Sequence, residues 1–377
     1  MTQVVRAAVQ VGPRQIELRE FPRPVIGPDD GLLRVEACGI CGSDVEQYRH
    51  PRGGGTTPVI PGHEPLGIVE EVGDRAAARW GVRPGDRVAL EVLIPCRACE
   101  LCLTGRYQAC PNKRPALGYT PITSEPGLWG GYAEYLYLHP NAILHRVRGD
   151  IPAEVAVMFN PMGAGVRWTC HLGALQLGET VLVLGAGQRG IAAVIAARTA
   201  GAATIIVTGL ERDRRKLELA REFGADHTIN VEREDTVERV REITDGRLAD
   251  LVLELTPGAT DPVLHALQSV RHGGRVVLAG LKGGRPVELP SDLIINKAIT
   301  VMGAYGVDSR GYSEAIRIIE SGRFPLEKLH THTFPLAEAA RAIETLAGEV
   351  PGEDAVHVAI CPGLLSPTLP REGGGRS

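Results

Sequence analysis

The chain has 377 residues, of which 44% are hydrophobic and 23% are charged, and its formal net charge is −4. This length accommodates two domains with separate cores, while slight acidity and the lack of a basic stripe argue against nucleic-acid binding. No apolar run reaches the ~18 residues of a membrane span, and the N-terminal sequence MTQVVRAAVQ lacks the apolar stretch of a signal peptide. These features predict a protein with neither a membrane nor a nucleic-acid partner. Four of its cysteines are clustered, and if they bind metal, a reducing cytoplasm is the expected compartment.

Residues 1–150 have the pattern of a β-rich domain. Short alternating or β-branched runs are separated by turn signals such as Gly12-Pro13 and Pro84-Gly85-Asp86, which is typical of strands joined by tight turns. The predicted strands are Val4–Val9, Gln15–Arg19, Leu32–Ala37, Gly67–Val72, Asp86–Leu90 and Ala133–Leu138.

After residue 150 the pattern changes to short apolar strands that alternate with helices. This alternation predicts a parallel sheet covered by helices on both faces. The predicted strands are Thr180–Leu184, Thr204–Thr208, Leu251–Leu255 and Arg275–Ala279. The predicted helices are Ile191–Ala200, Arg214–Phe223, Val237–Ile243, Pro262–Val270, Tyr312–Glu320 and Leu336–Leu346. The Pro/Gly-rich tail, 362–377, is predicted to be disordered.

Four cysteines lie close together at Cys96, Cys99, Cys102 and Cys110. Two of the three gaps contain two residues, the spacing that lets a chain wrap around Zn²⁺ with both sulfurs facing inward. The alternatives are free thiols or disulfides. Four cysteines would fill all four coordination positions of a zinc ion and leave none open for a substrate. The cluster therefore predicts a structural zinc site that contributes to folding.

A glycine-rich loop follows the predicted strand Thr180–Leu184. It reads Gly185-Ala186-Gly187-Gln188-Arg189-Gly190 and leads into a helix, the context that distinguishes a dinucleotide-binding loop from a generic glycine-rich turn. The first glycine allows the tight turn, the second lets a pyrophosphate approach the backbone, and the third lets the helix pack on the strand. The loop, with Gln188 and Arg189, is therefore a candidate cofactor site.

The choice between NAD and NADP depends on the segment after the second strand of this domain. An acid about 20 residues after the loop binds the adenosine ribose in NAD-dependent proteins. Gly209 stands near that distance but has no side chain. If Asp213 is the N-cap of the next helix, counting back from the cap places Glu211 at the ribose position. Glu211 favours NAD, whereas Arg212 or Arg214 would favour a 2′-phosphate. We expect NAD over NADP.

Three further motifs occur in a familiar order: Cys41-Gly42-Ser43-Asp44, Gly62-His63-Glu64 and Phe159-Asn160-Pro161. Together with the cysteine cluster and the glycine-rich loop, they make the chain similar to the zinc-containing medium-chain alcohol dehydrogenases, including the sorbitol and threonine dehydrogenase branches, from about residue 5 to residue 360. The resemblance implies an α/β plus β fold in which a GroES-like catalytic domain accompanies a Rossmann domain with a doubly wound parallel sheet. It also implies a homodimer or homotetramer.

The domains implied by this resemblance follow the chain order. The GroES-like catalytic domain would span 1–160 and include the zinc lobe 92–112, and the Rossmann NAD(P)-binding domain would span 161–302. A C-terminal segment, 303–361, would return to the catalytic domain.

The resemblance also assigns roles to single residues. Cys41 and His63 look like ligands of a catalytic Zn²⁺, and Glu64 matches an acid that binds the zinc or steps back for water. Ser43 matches the hydroxyl that passes on the substrate's proton. Asp44 matches the carboxylate that orients the zinc histidine.

Two positions depart from the family pattern. Asn160 stands where relatives carry Cys or Glu as a third zinc ligand, and a neutral amide is a poor replacement, so Glu64 is expected to take that place. Glu46 stands where many relatives carry the relay histidine. A carboxylate can carry a proton to solvent, although its usual pKa of about 4.3 makes it a weaker base than histidine; alternatively, Glu46 is a solvated loop acid.

These residues predict an oxidoreductase with one catalytic and one structural zinc. The catalytic zinc would act as a Lewis acid towards the oxygen of an alcohol or polyol, or of the matching carbonyl, while hydride passes to or from NAD(P). Substrate contacts are expected from the loops 49–58 and 115–128. Two alternatives are an NADPH-dependent carbonyl reductase of the same fold and a cofactor-binding protein that has lost turnover.

Overall fold

A computed structural model describes residues 4–51, 57–113 and 116–364. These residues belong to two units, and the chain passes between the units more than once. The first unit comprises residues 1–96, 112–157 and 330–377, and the second comprises residues 97–111 and 158–329. Of the predicted tail, residues 365–377 lie outside the described residues. Within the described ranges, no helix combines the length and the apolarity needed to cross a bilayer.

The first unit is built mainly of strands, as its alternating sequence pattern predicts. Its elements are β1 (Val4–Gly12), β2 (Gln15–Pro22), β3 (Gly31–Ile40), α1 (Gly42–Arg49), β4 (Glu64–Val72), α2 (Asp74–Trp80), β5 (Arg87–Leu90), β6 (Tyr135–Leu138), β7 (Leu144–Arg146), α4 (Ala153–Ala156), β14 (His330–Phe334), α12 (Ala339–Leu346) and β15 (His357–Ile360). β1 and β2 form an antiparallel hairpin. A second sheet has the order β14-β15-β3-β4-β5-β7, with β6 also paired to β3.

The C-terminal strands complete this sheet. β15 runs antiparallel to β3, with Val358 opposite Ile40 and Ile360 opposite Cys38. Val358 and Ile360 are fully buried in the apolar core of the unit. The pairing therefore fixes the end of β3, from which the chain continues into Cys41.

The register between β3 and β4 positions the first group of candidate site residues. Gly39, near the end of β3, lies opposite Glu64, the first residue of β4. Cys41 follows β3 as the N-cap of α1, and His63 immediately precedes β4. Residues that are distant along the chain are therefore brought to one end of the sheet.

The second unit is a doubly wound parallel sheet, which confirms the predicted fold class. Its elements are α3 (Glu100–Leu103), α5 (Phe159–Val166), β8 (Thr180–Leu184), α6 (Gln188–Ala200), β9 (Thr204–Gly209), α7 (Arg214–Glu222), β10 (His227–Asn230), α8 (Thr236–Ile243), β11 (Ala249–Glu254), α9 (Asp261–Ser269), β12 (Val270–Leu278), α10 (Ser291–Asn296), β13 (Thr300–Gly303) and α11 (Ser309–Glu320). The strand order is β10-β9-β8-β11-β12-β13, and every pair is parallel. The order reverses between β8 and β11, the place where doubly wound sheets bind dinucleotides.

Candidate active site

Three side chains meet where β3, α1 and β4 come together. Cys41 Sγ lies 3.2 Å from His63 Nε2, and the Ser43 hydroxyl lies 2.8 Å from Cys41 Sγ and 3.3 Å from His63 Nε2. Cys41 and His63 are buried, whereas Ser43 is half-buried. A thiol and an imidazole nitrogen that face the same point are donors that Zn²⁺ prefers. These two residues therefore fit a zinc ion.

Asp44 contacts both Cys41 and His63. Its Oδ2 accepts a 2.9 Å hydrogen bond from the backbone N–H of Cys41, and its Oδ1 lies 3.1 Å from His63 Nδ1. Donor atoms of Cys41, Asp44 and His63 all lie within 4.8 Å of one another. Because Asp44 contacts the ring nitrogen that faces away from Cys41, it has the position of an acid that orients a ligating histidine.

The electrostatics of this cluster favour a cation. Burial opposes a charge on His63, but Asp44 and then Cys41 outweigh that effect and raise the pKa of His63 well above its usual range. The side chains around the imidazole therefore supply more negative than positive charge, which suits a bound metal ion.

Glu64 lies on the other side of the imidazole. The residue is fully buried, and its Oε1 is 3.9 Å from His63 Nε2. A Cβ added to Gly39 would lie only 2.6 Å from Glu64 Oε2, so a glycine leaves room for this carboxylate on the neighbouring strand. Asp44 thus faces Nδ1 of His63, whereas Glu64 is near Nε2.

The two positions that depart from the family pattern have different surroundings. Asn160 belongs to the second unit, where it is buried in α5 and its Nδ2 lies 3.5 Å from the Tyr312 hydroxyl on α11. Glu46 is exposed on α1, three residues after Ser43 and therefore on the same side of the helix.

The four clustered cysteines converge as their spacing predicts. Sulfurs of Cys96, Cys99, Cys102 and Cys110 all lie within 4.8 Å of one another, and those of Cys99 and Cys110 are 3.7 Å apart. None of the four takes part in a disulfide. Four thiols around one point fit a closed tetrahedral zinc site.

The glycine-rich loop joins β8 to α6, and each glycine meets a separate requirement. Gly185 has a φ of +109°, which favours glycine. A Cβ added to Gly187 would meet no heavy atom within 4 Å, whereas one added to Gly190 would lie 2.0 Å from the Gly185 carbonyl oxygen. The loop therefore has open space at the start of α6 and close helix–strand packing behind it.

Gln188 is the first residue of α6, and the Arg189 guanidinium lies 5.5 Å from the centre of the Trp168 ring.

Glu211 follows β9, as expected, in a short helical turn with Arg212. Its carboxylate accepts a hydrogen bond from the Asn230 amide and forms an ion pair of 2.8 Å with Arg233. The side chains of Glu211 and Arg233 are 49% and 70% exposed, so this pair is in contact with solvent. Glu211, the acid expected to favour NAD, is thus paired with an arginine that sequence reasoning did not consider.

Sequence reasoning also missed Tyr119, which contacts the Cys41–His63 cluster. Its ring centre lies 5.7 Å from that of His63, and its hydroxyl interacts with the Ser43 side chain. Burial raises the pKa of Tyr119 above its usual value, so the phenol stays protonated at neutral pH. The residue lies in the loop 115–128, which has no recognisable motif.

A buried ion pair lies at the carboxyl end of the parallel sheet. Glu254, the last residue of β11, is fully buried and lies 2.9 Å from Lys282 Nζ. The same ammonium donates to the Thr256 carbonyl oxygen at 2.6 Å. The pair ties together the two loops that follow β11 and β12, where ligands bind in sheets of this kind. The sequence pattern predicted the loops but not the pair.

Comparison with known proteins identifies the family. A model described as the alcohol dehydrogenase GroES-like domain matches residues 27–149, and one described as zinc-binding dehydrogenase matches residues 189–321. A Mycobacterium tuberculosis protein named "Probable alcohol dehydrogenase adh" is 44% identical over 370 residues, which cover 97% of this chain and 99% of that protein. The erythritol/L-threitol dehydrogenase of Mycolicibacterium smegmatis is 33% identical over 367 residues, which cover 95% of this chain and 98% of that enzyme.

A solved structure shows the same fold. It comes from Sinorhizobium meliloti, is described as a zinc-binding dehydrogenase and is bound to NADP. Its TM-score is 0.83 at 28% identity, with 96% of this chain and all of that chain covered. The present chain is an oxidoreductase that acts on CH–OH groups, and it belongs to the zinc-containing medium-chain alcohol dehydrogenase family.

Proposed function

We propose that the chain oxidises an alcohol or polyol with NAD, using a catalytic zinc held by Cys41, His63 and Glu64. The observation that carries this proposal is the 3.2 Å approach of Cys41 Sγ to His63 Nε2, with Asp44 on the opposite ring nitrogen. The similarity to an erythritol/L-threitol dehydrogenase favours a polyol as substrate.

Glu64 is our choice for the third protein ligand. Cys41 as thiolate and Glu64 as carboxylate would balance the charge of Zn²⁺, with His63 as a neutral ligand. The metal would supply Lewis acidity for the substrate oxygen. Asp44 keeps the imidazole in the orientation in which Nε2 is available.

Ser43 would take up the proton that leaves the alcohol. Its hydroxyl lies 2.8 Å from Cys41 Sγ and 3.3 Å from His63 Nε2, the two zinc-ligand candidates, and a hydroxyl can accept one proton while donating its own. Glu46, exposed on the same helix, is proposed to pass that proton to solvent.

The nicotinamide cofactor would bind at the reversal point of the parallel sheet. Gly185, Gly187 and Gly190 would accommodate the pyrophosphate at the start of α6, beside Gln188 and Arg189. Glu211 would bind the adenosine ribose and favour NAD.

The second candidate function is a carbonyl reductase that uses NADPH. The observation that favours it is the 2.8 Å ion pair between Arg233 and Glu211. The similar structure from Sinorhizobium meliloti is bound to NADP.

The cysteine cluster is proposed to hold a second, structural zinc. Its four cysteines, which form no disulfide, also favour a reducing compartment such as the cytoplasm. We further propose that residues 1–160 act as the catalytic domain, 161–302 as the cofactor domain, and 303–361 as a returning segment. The pairing of β15 with β3 supports the return, although residues 303–329 belong to the second unit.

We propose a homodimer or homotetramer. Among the described residues β13 pairs only with β12, at one edge of the six-stranded sheet. Ile295 and Tyr305, near this edge, are 73% and 58% exposed. An open strand edge beside exposed apolar side chains favours association with another chain. Light scattering during gel filtration measures the assembly.

The proposed activity is tested by metal analysis together with a substrate screen. Two zinc ions per chain and turnover of alcohols or polyols with NAD are the expected results. Turnover only of carbonyls with NADPH would favour the second candidate. If the purified chain holds zinc in the cysteine cluster alone, Cys41 and His63 do not form the catalytic metal site.

A further inference from the structure

The backbone that carries Tyr119 is held from several directions. Gly118 has a φ of +80°, and a Cβ there would lie 3.1 Å from the backbone nitrogen and oxygen of Gly62. The Gln47 amide donates a 3.0 Å hydrogen bond to the Gly118 carbonyl oxygen, and the Gly118 N–H donates to the Trp129 carbonyl oxygen at 2.9 Å. The loop is therefore packed against the residue that precedes His63 and is tied to α1.

This arrangement brings the Tyr119 phenol to the candidate proton relay. The ring packs beside His63 at 5.7 Å between centres, which brings its hydroxyl into interaction with the Ser43 side chain. Ser43 also lies within hydrogen-bond distance of Cys41 Sγ and His63 Nε2. A serine hydroxyl has a single proton and rotates freely, so its neighbours decide its direction.

We propose that Tyr119 is a positioning residue that holds the Ser43 hydroxyl in the rotamer that receives the substrate's proton. The proposal rests on the proposed relay through Ser43. Without the phenol hydroxyl, Ser43 would turn among its remaining partners, and proton transfer would lose the alignment on which its rate depends. Because Tyr119 would act through Ser43, loss of its hydroxyl should lower kcat only when the serine is present.

The test begins with Tyr119→Phe, which removes the hydroxyl and keeps the ring. Loss of one neutral hydrogen bond predicts a fall in kcat of about fivefold to tenfold, while KM for the alcohol and for the cofactor, and the zinc content, stay unchanged. Tyr137→Phe is the matched control, because its hydroxyl donates to Asp30 at 2.9 Å, away from the site. The control is expected to keep wild-type kcat.

A double-mutant cycle with Ser43→Ala separates this inference from the proposed relay. In the Ser43→Ala background, Tyr119→Phe is expected to cause no further loss of kcat. Crystal structures give a readout independent of turnover: Ser43 should occupy one rotamer in the wild type and several in Tyr119→Phe. Additive losses, or an unchanged single rotamer, would overturn the positioning role of Tyr119. A Ser43→Ala variant with wild-type kcat would instead overturn the relay itself.

Discussion

The Asp44 carboxylate lies 3.1 Å from Nδ1 of His63, and this contact leaves Nε2 of the same ring facing Cys41 Sγ at 3.2 Å. Asp44 also accepts the backbone N–H of Cys41. One carboxylate therefore orients both of the residues that are proposed to bind the catalytic metal.

Asp44→Asn tests this orientation. The amide keeps the size of the side chain but removes the charge that supports the imidazole, and loss of such a supporting group typically costs 10–100-fold in metal affinity. We expect that loss for the catalytic zinc only, measured by competition with a chelator. Asp29→Asn, which removes a half-buried acid paired with Arg75, is the control. Equal zinc affinity in both variants would contradict the assigned role of Asp44.

The third zinc ligand is tested by comparing Glu64→Gln with Asn160→Ala. Because a neutral amide cannot replace the charge of Glu64, Glu64→Gln is expected to lose the catalytic zinc and keep the structural one. Asn160→Ala should retain both ions and show a milder kinetic defect. Zinc per chain, measured by mass spectrometry, decides between them. The reverse pattern, with zinc lost only from Asn160→Ala, would show that Glu64 is not the third ligand.

Cys99→Ser tests the structural site. Removing one of its four thiolates should release the structural zinc and lower the melting temperature, because binding of a structural metal contributes directly to the free energy of folding. For the protein that remains folded, we expect kcat/KM within about twofold of wild type. Cys170→Ser, outside both clusters, should keep both the zinc and the melting temperature. A stable, zinc-free Cys99→Ser protein would show that the metal is not structural.

Cofactor preference is tested at Glu211 and its partner. Glu211→Gln should weaken NAD binding, whereas Arg233→Gln should weaken binding of NADP by removing the guanidinium that pairs with Glu211. We expect the wild type to prefer NAD. A preference for NADP of more than tenfold, worth ~1.4 kcal/mol, would reverse the proposed selectivity. Arg239→Gln, paired with Glu234 and Glu242, is the matched control.

The acid stability of the chain should depend on a buried histidine pair. His357 Nδ1 lies 3.0 Å from His330 Nδ1, and His357 is almost fully buried. Burial, followed by the neighbouring His330, lowers the pKa of His357 to about 3, and burial lowers that of His330 as well. In the unfolded chain a histidine has a pKa of about 6.5.

The sign of the pH dependence follows from these values. Between about pH 6.5 and pH 3 the unfolded chain binds a proton at His357 that the folded chain does not. The contribution of His357 is therefore fully present above about pH 6.5 and is lost as the pH falls, by up to about 1.4 kcal/mol per pH unit. Urea unfolding of His357→Gln should show a shallower decrease in this range, whereas the exposed His50→Gln should match the wild type. Equal slopes for all three proteins would contradict this explanation.

Much of the second unit could be predicted from local pattern. The apolar run Thr180–Leu184 coincides with β8, because a strand buried on both faces requires a continuous apolar sequence. β10 (His227–Asn230) in this unit and β14 (His330–Phe334) in the first unit were not predicted, since their polar residues lack that signature. Neighbouring strands, rather than sequence pattern, determine such short segments.

The sequence by itself determined the chemistry that the chain can offer: four cysteines at zinc spacing, a glycine-rich loop between strand and helix, and the candidate ligands Cys41 and His63. These signals are local, because short spacing along the chain already limits the geometry. Only the tertiary structure decided which groups surround those residues. Asp44 meets His63, and Tyr119 meets Ser43, because pairing of β3 with β4 and the packing of Gly118 against Gly62 join segments that are distant in sequence. No local pattern encodes such contacts, since they exist only once the sheet register is fixed.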